Sequence, residues 1–298
     1  MFPSDFELRQ LPNELPWQAG AYLLLDGISV EDLPRRLFEW SERPTFEPLY
    51  LNTRWSGLTD VSPCLISLNG PQDPILGQFI NQAEREWGYL LFCRAPQAEL
   101  LEHLRWLVSV RHPLGEELLL RLADPAVISV LLDHAVQNAD ATLFGPVEQI
   151  VAPDVVHGYW HHHRRPGNPP YAIPATPYLL SEEQLALLGE VSFRSIVRHL
   201  DEHMRDYFPS YQSGLAGSTR WQHLHELASR AYEQGFNSER DITLYANIFG
   251  FLGDDALARY PNIQALLSKA SEQTATQRIE QAAELAREHA EQMKRNSL

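Results

Sequence analysis

The chain is poor in the features on which most catalytic assignments rest. Its 298 residues include two cysteines and three methionines. Cys64 and Cys93 lie far apart in apolar runs, with neither a metal-ligand spacing nor a disulfide framework, and read as buried free thiols. There is no G-x-S-x-G nucleophile elbow, no P-loop, and no G-x-G-x-x-G after the first strand, where Leu25-Asp26-Gly27 offers a single glycine. Positive charge is scarce: 24 Lys and Arg stand against 39 Asp and Glu, giving a net charge of −15. Such a field repels nucleic acid and anionic membrane surfaces. No apolar run approaches the ~20 residues that a membrane-spanning helix needs. The start, Met1 to Asp5, lacks the basic and apolar succession of a signal peptide. The expectation is a cytoplasmic chain that inserts in no membrane, binds no nucleic acid and carries no cofactor.

What is present suits a globular chain of one large or two ordinary domains, with 44% apolar and 21% charged residues. Strand signals fall at Ala21–Gly27, Phe46–Leu51, Pro63–Leu68 and Tyr89–Arg94, and helical patterns alternate with them. Leu118 to Leu122 forms a further apolar run, expected as a strand buried on both faces, with Arg121 inside it in need of a partner. Asp73-Pro74 and Asp124-Pro125 each pair an N-cap residue with a proline suited to the first helical turn. This alternation predicts an α/β domain with a largely parallel sheet over 1–178, its core at 20–150. A proline-rich edge hairpin or connection is expected over 152–178. An all-α domain follows over 179–298, opened by Ser181 and closed by a long helix whose narrow face is Ile279, Ala282, Ala283, Ala286, Ala290 and Met293. That face suits either docking on the helical domain or a partner.

Three groups of residues carry candidate chemistry. His199-Leu200-Asp201-Glu202-His203 spells H-x-x-E-H, in which His199 and His203 share a helix face for zinc and Glu202 supplies a general base. A zinc-dependent hydrolase is therefore one reading, although Leu200 belongs to an apolar stripe. His161-His162-His163 lies on a strand, where neighbours alternate sides and do not converge on one ion, so a solvated edge is expected. Arg54, Trp55, Trp160 and Trp221 form the proposed recognition set, because Trp and Arg are favoured at protein interfaces.

An ordered series of short motifs resembles a known family. It comprises Leu24-Leu25-Asp26, then Pro63 before Cys64-Leu65-Ile66, then Trp87-Gly88, then His103-Leu104-Arg105. It ends with Leu120-Arg121-Leu122-Ala123-Asp124-Pro125-Ala126 and Phe144-Gly145-Pro146. The series is similar to that of the type VI secretion effector adaptors, or effector chaperones (Tap/Tec type), defined by domain of unknown function 4123. Ala123 stands where the family has an aromatic residue and Ala126 where it has Arg. The resemblance implies a non-catalytic protein whose partners are a cognate effector toxin and the spike protein VgrG. An immunity protein of a neighbouring toxin is the third reading.

Overall fold

The computed structural model describes residues 8–167, 170–268 and 273–296. The apolar runs assemble into one six-stranded sheet. Its strands are β1 (Gly20–Leu25), β2 (Phe46–Pro48), β3 (Cys64–Leu68), β4 (Gly88–Cys93), β7 (Gln149–Asp154) and β8 (Tyr159–Arg164), in the order β2-β3-β1-β4-β7-β8. Between them come helices α1 (Leu33–Trp40), α2 (Pro74–Asn81), α3 (Gln97–Val108) and α4 (Pro125–Gln137). A second, three-stranded sheet holds β5 (Ser109–Arg111), β6 (Glu117–Leu119) and β9 (Tyr178–Leu179).

Every pairing in the large sheet is antiparallel. The expectation of a largely parallel sheet is therefore wrong, and the sole parallel pair among the described strands is β5 with β9. The reason is visible at β1. Strands β3 and β4 both run antiparallel to β1 and so run the same way as each other, and α2 joins them. This is a βαβ crossover split by an inserted strand. The alternation of strand and helix was real, but it does not say which strands become neighbours. The continuous apolar pattern did not decide it either, because both faces are covered. Tyr22, Leu24, Leu65, Tyr89 and Leu91 enter a core with Leu100 and Leu104 of α3 and Ile128 and Leu131 of α4. Their sequence neighbours Leu23, Leu25, Leu90 and Phe92 are fully buried on the other face. There Trp17 meets Phe92 edge to face, and Phe79 of α2 meets Trp160 of β8.

The run at Leu118–Leu122 also departs from expectation. Only Glu117–Leu119 is strand, and it is an edge of the small sheet with Leu118 and Leu119 half-buried. The Leu122 amide then bonds the Leu120 carbonyl at 2.7 Å, closing a three-residue γ-turn about Arg121. That turn sends Leu120 and Leu122 into the core and leaves the Arg121 side chain 47% exposed. The proline-rich segment begins as the β7–β8 hairpin, with β8 at the sheet edge. His163 on that edge is not solvated: it is buried, and its Nδ1 lies 3.2 Å from Asp133.

Contacts divide the chain into two units, with the break between Val191 and Ser192. The break falls within helix α5 (Glu182–Tyr207). Ser181 and Gln184 form a reciprocal capping box at its start, with bonds of 3.0 and 3.1 Å. The second unit continues with α6 (Gly217–Glu233), α7 (Glu239–Leu252), α8 (Ala256–Arg259), α9 (Pro261–Ser268) and α10 (Ala275–Asn296). Its core joins Val197, Leu200 and Met204 of α5 to Leu224, Leu227, Ile242, Tyr245 and Phe249. Helix α10 is docked in this core by Ile279, Ala282, Ala283, Ala286 and Ala290. These five residues of its narrow face thus pack within its own unit, chiefly against α7, while Met293 is exposed.

The β1–β4 pairing tolerates no side chain at Gly88. A Cβ there would sit 1.8 Å from the Leu24 carbonyl oxygen, which is backbone and cannot swing aside. Gly88→Ala is expected to destabilise the chain by about 3 kcal/mol, the upper end for overpacking. Chemical denaturation measures this, and a wild-type midpoint would refute the close approach.

Candidate functional site

Several of the family-like motifs meet at the end of the large sheet where β1 stops. Asp26 follows β1 directly, and its amide bonds the Trp87 carbonyl at 2.7 Å. Its carboxylate is 5% exposed and turns the chain by accepting bonds from the Ile28 and Ser29 amides and, at 2.7 Å, from the Ser29 hydroxyl. The same carboxylate accepts a bond from Arg121 Nη2 at 2.9 Å, across 95 residues of chain. Arg121 Nη1 lies 3.6 Å from Asp124 Oδ2. Burial works against the Arg121 charge, but Asp124 and Asp26 outweigh it and hold the guanidinium above its ordinary pKa. Asp124 caps α4, accepting from the Ala126 amide at 2.9 Å and the Val127 amide at 3.4 Å, with Pro125 at the first turn. The buried Tyr89 hydroxyl donates to the Leu122 carbonyl at 2.9 Å.

A second cluster surrounds His103. Nε2 faces the Leu143 carbonyl at 3.1 Å and Nδ1 faces the Tyr171 hydroxyl at 2.6 Å. These partners set the tautomer: Nε2 donates to the carbonyl and Nδ1 accepts from the phenol. Gly145, at φ 54°, lies flat on the ring, and a Cβ there would come within 2.5 Å of it. Pro146 accepts a bond from Cys93 Sγ at 3.2 Å. Arg105 donates to the Pro48 carbonyl at 3.3 Å. The Pro63 carbonyl receives the Leu49 amide at 2.8 Å and so fixes the chain next to β2. Each of these residues holds one segment against another, and none is arranged as a nucleophile with a base.

Residues 21–139 match the family described as a domain of unknown function, DUF4123. The accessory protein VasW of Vibrio cholerae serotype O1 is 32% identical over 280 residues, which span 93% of this chain and 91% of that protein. The chain belongs to the DUF4123 family. No solved structure matches it.

The DUF4123 region and the residues outside it treat the other candidates differently. Arg54 and Trp55 sit together in the loop after β2, the guanidinium 4.9 Å from the indole centroid. Arg54 pairs with Glu117, and Trp55 Nε1 donates to the Ser109 hydroxyl at 2.7 Å. Trp160 is buried against Phe79. Trp221 lies in α6 of the other unit, near His225. Within the first unit, Trp160 is thus buried away from the pair of Arg54 and Trp55. The H-x-x-E-H residues lie on α5. His199 Nδ1 is 2.8 Å from Glu239 Oε1, and His203 Nε2 is 2.7 Å from Asn247 Oδ1. Glu202 is exposed. Among the described residues, no group of three or more His, Cys, Asp or Glu is gathered where it could hold a metal ion. The pattern does contain a buried acid: Asp201, with Oδ1 2.5 Å from Arg220 Nε and Oδ2 2.9 Å from Arg205.

Sequence reasoning missed Asp201, hidden between the two histidines, and Glu86, next to Trp87. Glu86 is buried, has φ 52°, and accepts the Val155 amide at 2.9 Å. An acid within an apolar helical stripe was the available signal for Asp201.

Two measurements test this framework. Asp124→Ala removes the cap and is expected to cost about 1 kcal/mol in thermal unfolding. An unchanged transition would mean that the cap does nothing. For His103, burial drives the imidazole down to about 4 from 6.5. Across that window the unfolded chain takes up a proton that the folded chain refuses. Stability is full above the window and falls with pH through it, by about 3 kcal/mol for a shift of this size. His103→Asn should flatten the fall in unfolding temperature between neutral and weakly acidic pH. Identical slopes for both proteins would sink the assignment.

Proposed function

We propose that this chain is a non-catalytic adaptor that binds a toxic effector in the cytoplasm and helps to load it onto the spike protein VgrG. One observation carries the reading: family membership is supported over almost the whole length of the chain, including the helical unit, by the match to VasW. It is supported by the use of the motif residues. Asp26, Arg121 and Asp124 form a framework of ion pair and cap, and His103 is a satisfied core histidine. A rigid frame of this kind suits a protein that presents surfaces to partners. Arg54 and Trp55 are the members of the recognition set that combine a half-exposed aromatic face with a cation, and we assign them to partner contact. No helix among the described residues is long and apolar enough to cross a membrane.

Co-expression with the toxin and the spike protein encoded beside it is expected to raise soluble toxin and to yield a ternary complex on size exclusion. Failure to bind either protein overturns the reading. Toxin held in the complex should keep its activity; inhibition would point to an immunity protein instead. Stoichiometric zinc in the purified chain, lost on His203→Ala, would favour the hydrolase.

A further inference from the structure

We infer that a groove between α1 and the turn after α2 is a binding site for an acidic peptide segment. The groove encloses about 370 Å³ and is lined by Arg36 and Trp40 of α1, Gln78 of α2, and Gln82, Arg85 and Trp87 beyond it. That volume lies in the ordinary range of ligand pockets. The rings of Trp40 and Trp87 stack at 5.8 Å with 13° between their planes, and the Arg85 guanidinium lies 5.8 Å from the Trp87 ring centroid. Arg36 directs its Nε to the Glu31 carbonyl at 3.0 Å.

The pairing of two arginines with two tryptophans on one lining is what singles the groove out. Several arginines elsewhere in the same unit have found carboxylates among the described residues, such as Arg35 with Glu39, Arg54 with Glu117, Arg94 with Glu148 and Arg121 with Asp26, whereas Arg43, Arg111 and Arg164 have not. Among the described residues, no carboxylate oxygen lies within 4.0 Å of Arg36 or Arg85. Acids outnumber cations 39 to 24 in this chain, yet this groove gathers two guanidiniums that have no carboxylate partner among the described residues. Glu31 is the one acid on the lining, and it is exposed.

The lining chemistry selects the occupant. Guanidiniums pair with carboxylates in planar, charge-assisted bonds. Gln78 and Gln82 stand one helical turn apart and offer both donor and acceptor to peptide amides. The tryptophan pair supplies an apolar wall. Together these fit a short peptide carrying Asp or Glu side chains. The net charge of −15 would otherwise repel such a peptide, so binding would have to come from this local cationic spot. The site goes beyond the adaptor reading and rests on it only for the source of the peptide.

The test is fluorescence anisotropy with a labelled Glu-rich peptide and its Gln counterpart on the purified full chain. Saturable binding of the Glu peptide is expected, weaker by at least about tenfold for the Gln peptide and by a similar factor for Arg36→Gln/Arg85→Gln, the equivalent of one charge-assisted hydrogen bond. Both arginines are exposed, so the variant should unfold at the wild-type temperature; Trp40→Leu provides a second variant that keeps both charges and should weaken binding. No saturation below about 1 mM, equal affinity for the two peptides, or an unaffected double variant overturns the site. If the wild-type chain binds the Glu peptide yet captures neither toxin nor spike protein, the adaptor reading falls and the groove stands. If the double variant assembles the ternary complex and binds the peptide unaltered, the groove falls alone.

Discussion

The ion pair between Arg121 and Asp26 is the constraint on which the first unit depends. Asp26 is buried where the central strand ends, and a buried carboxylate without a partner is costly. It is satisfied by its own turn and by an arginine from 95 residues away. That arginine reaches it because the chain bends at Arg121 and does not continue as strand. The bend also delivers Asp124 to the start of α4, so one local conformation serves the ion pair, the γ-turn and the helix cap. The end of β1, the start of α4 and the approach to β4 are thereby fixed to each other.

The two units solve the problem of closeness in different ways. In the first, backbone meets backbone at Gly88, and a ring lies on backbone at Gly145. In the second, closeness comes from alanine on α10 and from the buried pair of Asp201 with Arg220. The polar pair ties α5 to α6 with direction, which a purely apolar contact does not supply.

Local signals were the legible ones. Asp124-Pro125, Asp73-Pro74 and Ser181 with Gln184 all cap helices as their residue types demand. The need of Arg121 for a partner was also readable, because an arginine among leucines has few alternatives. Its partner was not, since nothing local links positions so far apart. Strand direction was unreadable for a related reason: insertion of β1 between β3 and β4 is a long-range choice, and burial on both faces erases the alternation that marks an antiparallel sheet. The H-x-x-E-H spelling does not say which side of the helix is buried, and the apolar stripe through Leu200 does. Leu200 and Asp201 face inward, while His199 is turned toward solvent.

The alanine seam of α10 has a consequence for how this protein can vary. A contact made of methyl groups depends on the separation of two helix axes and not on the shape of large side chains. It leaves no room for growth at Ala282 or Ala286. It makes no demand on the opposite face, where Glu284, Arg287 and Glu291 form exposed ion pairs of little energetic weight. The inward residues of the last helix are thus held to one size, while its outward residues are free to change. A chain built this way can alter the face it shows to other proteins without disturbing the packing that holds the helix in place.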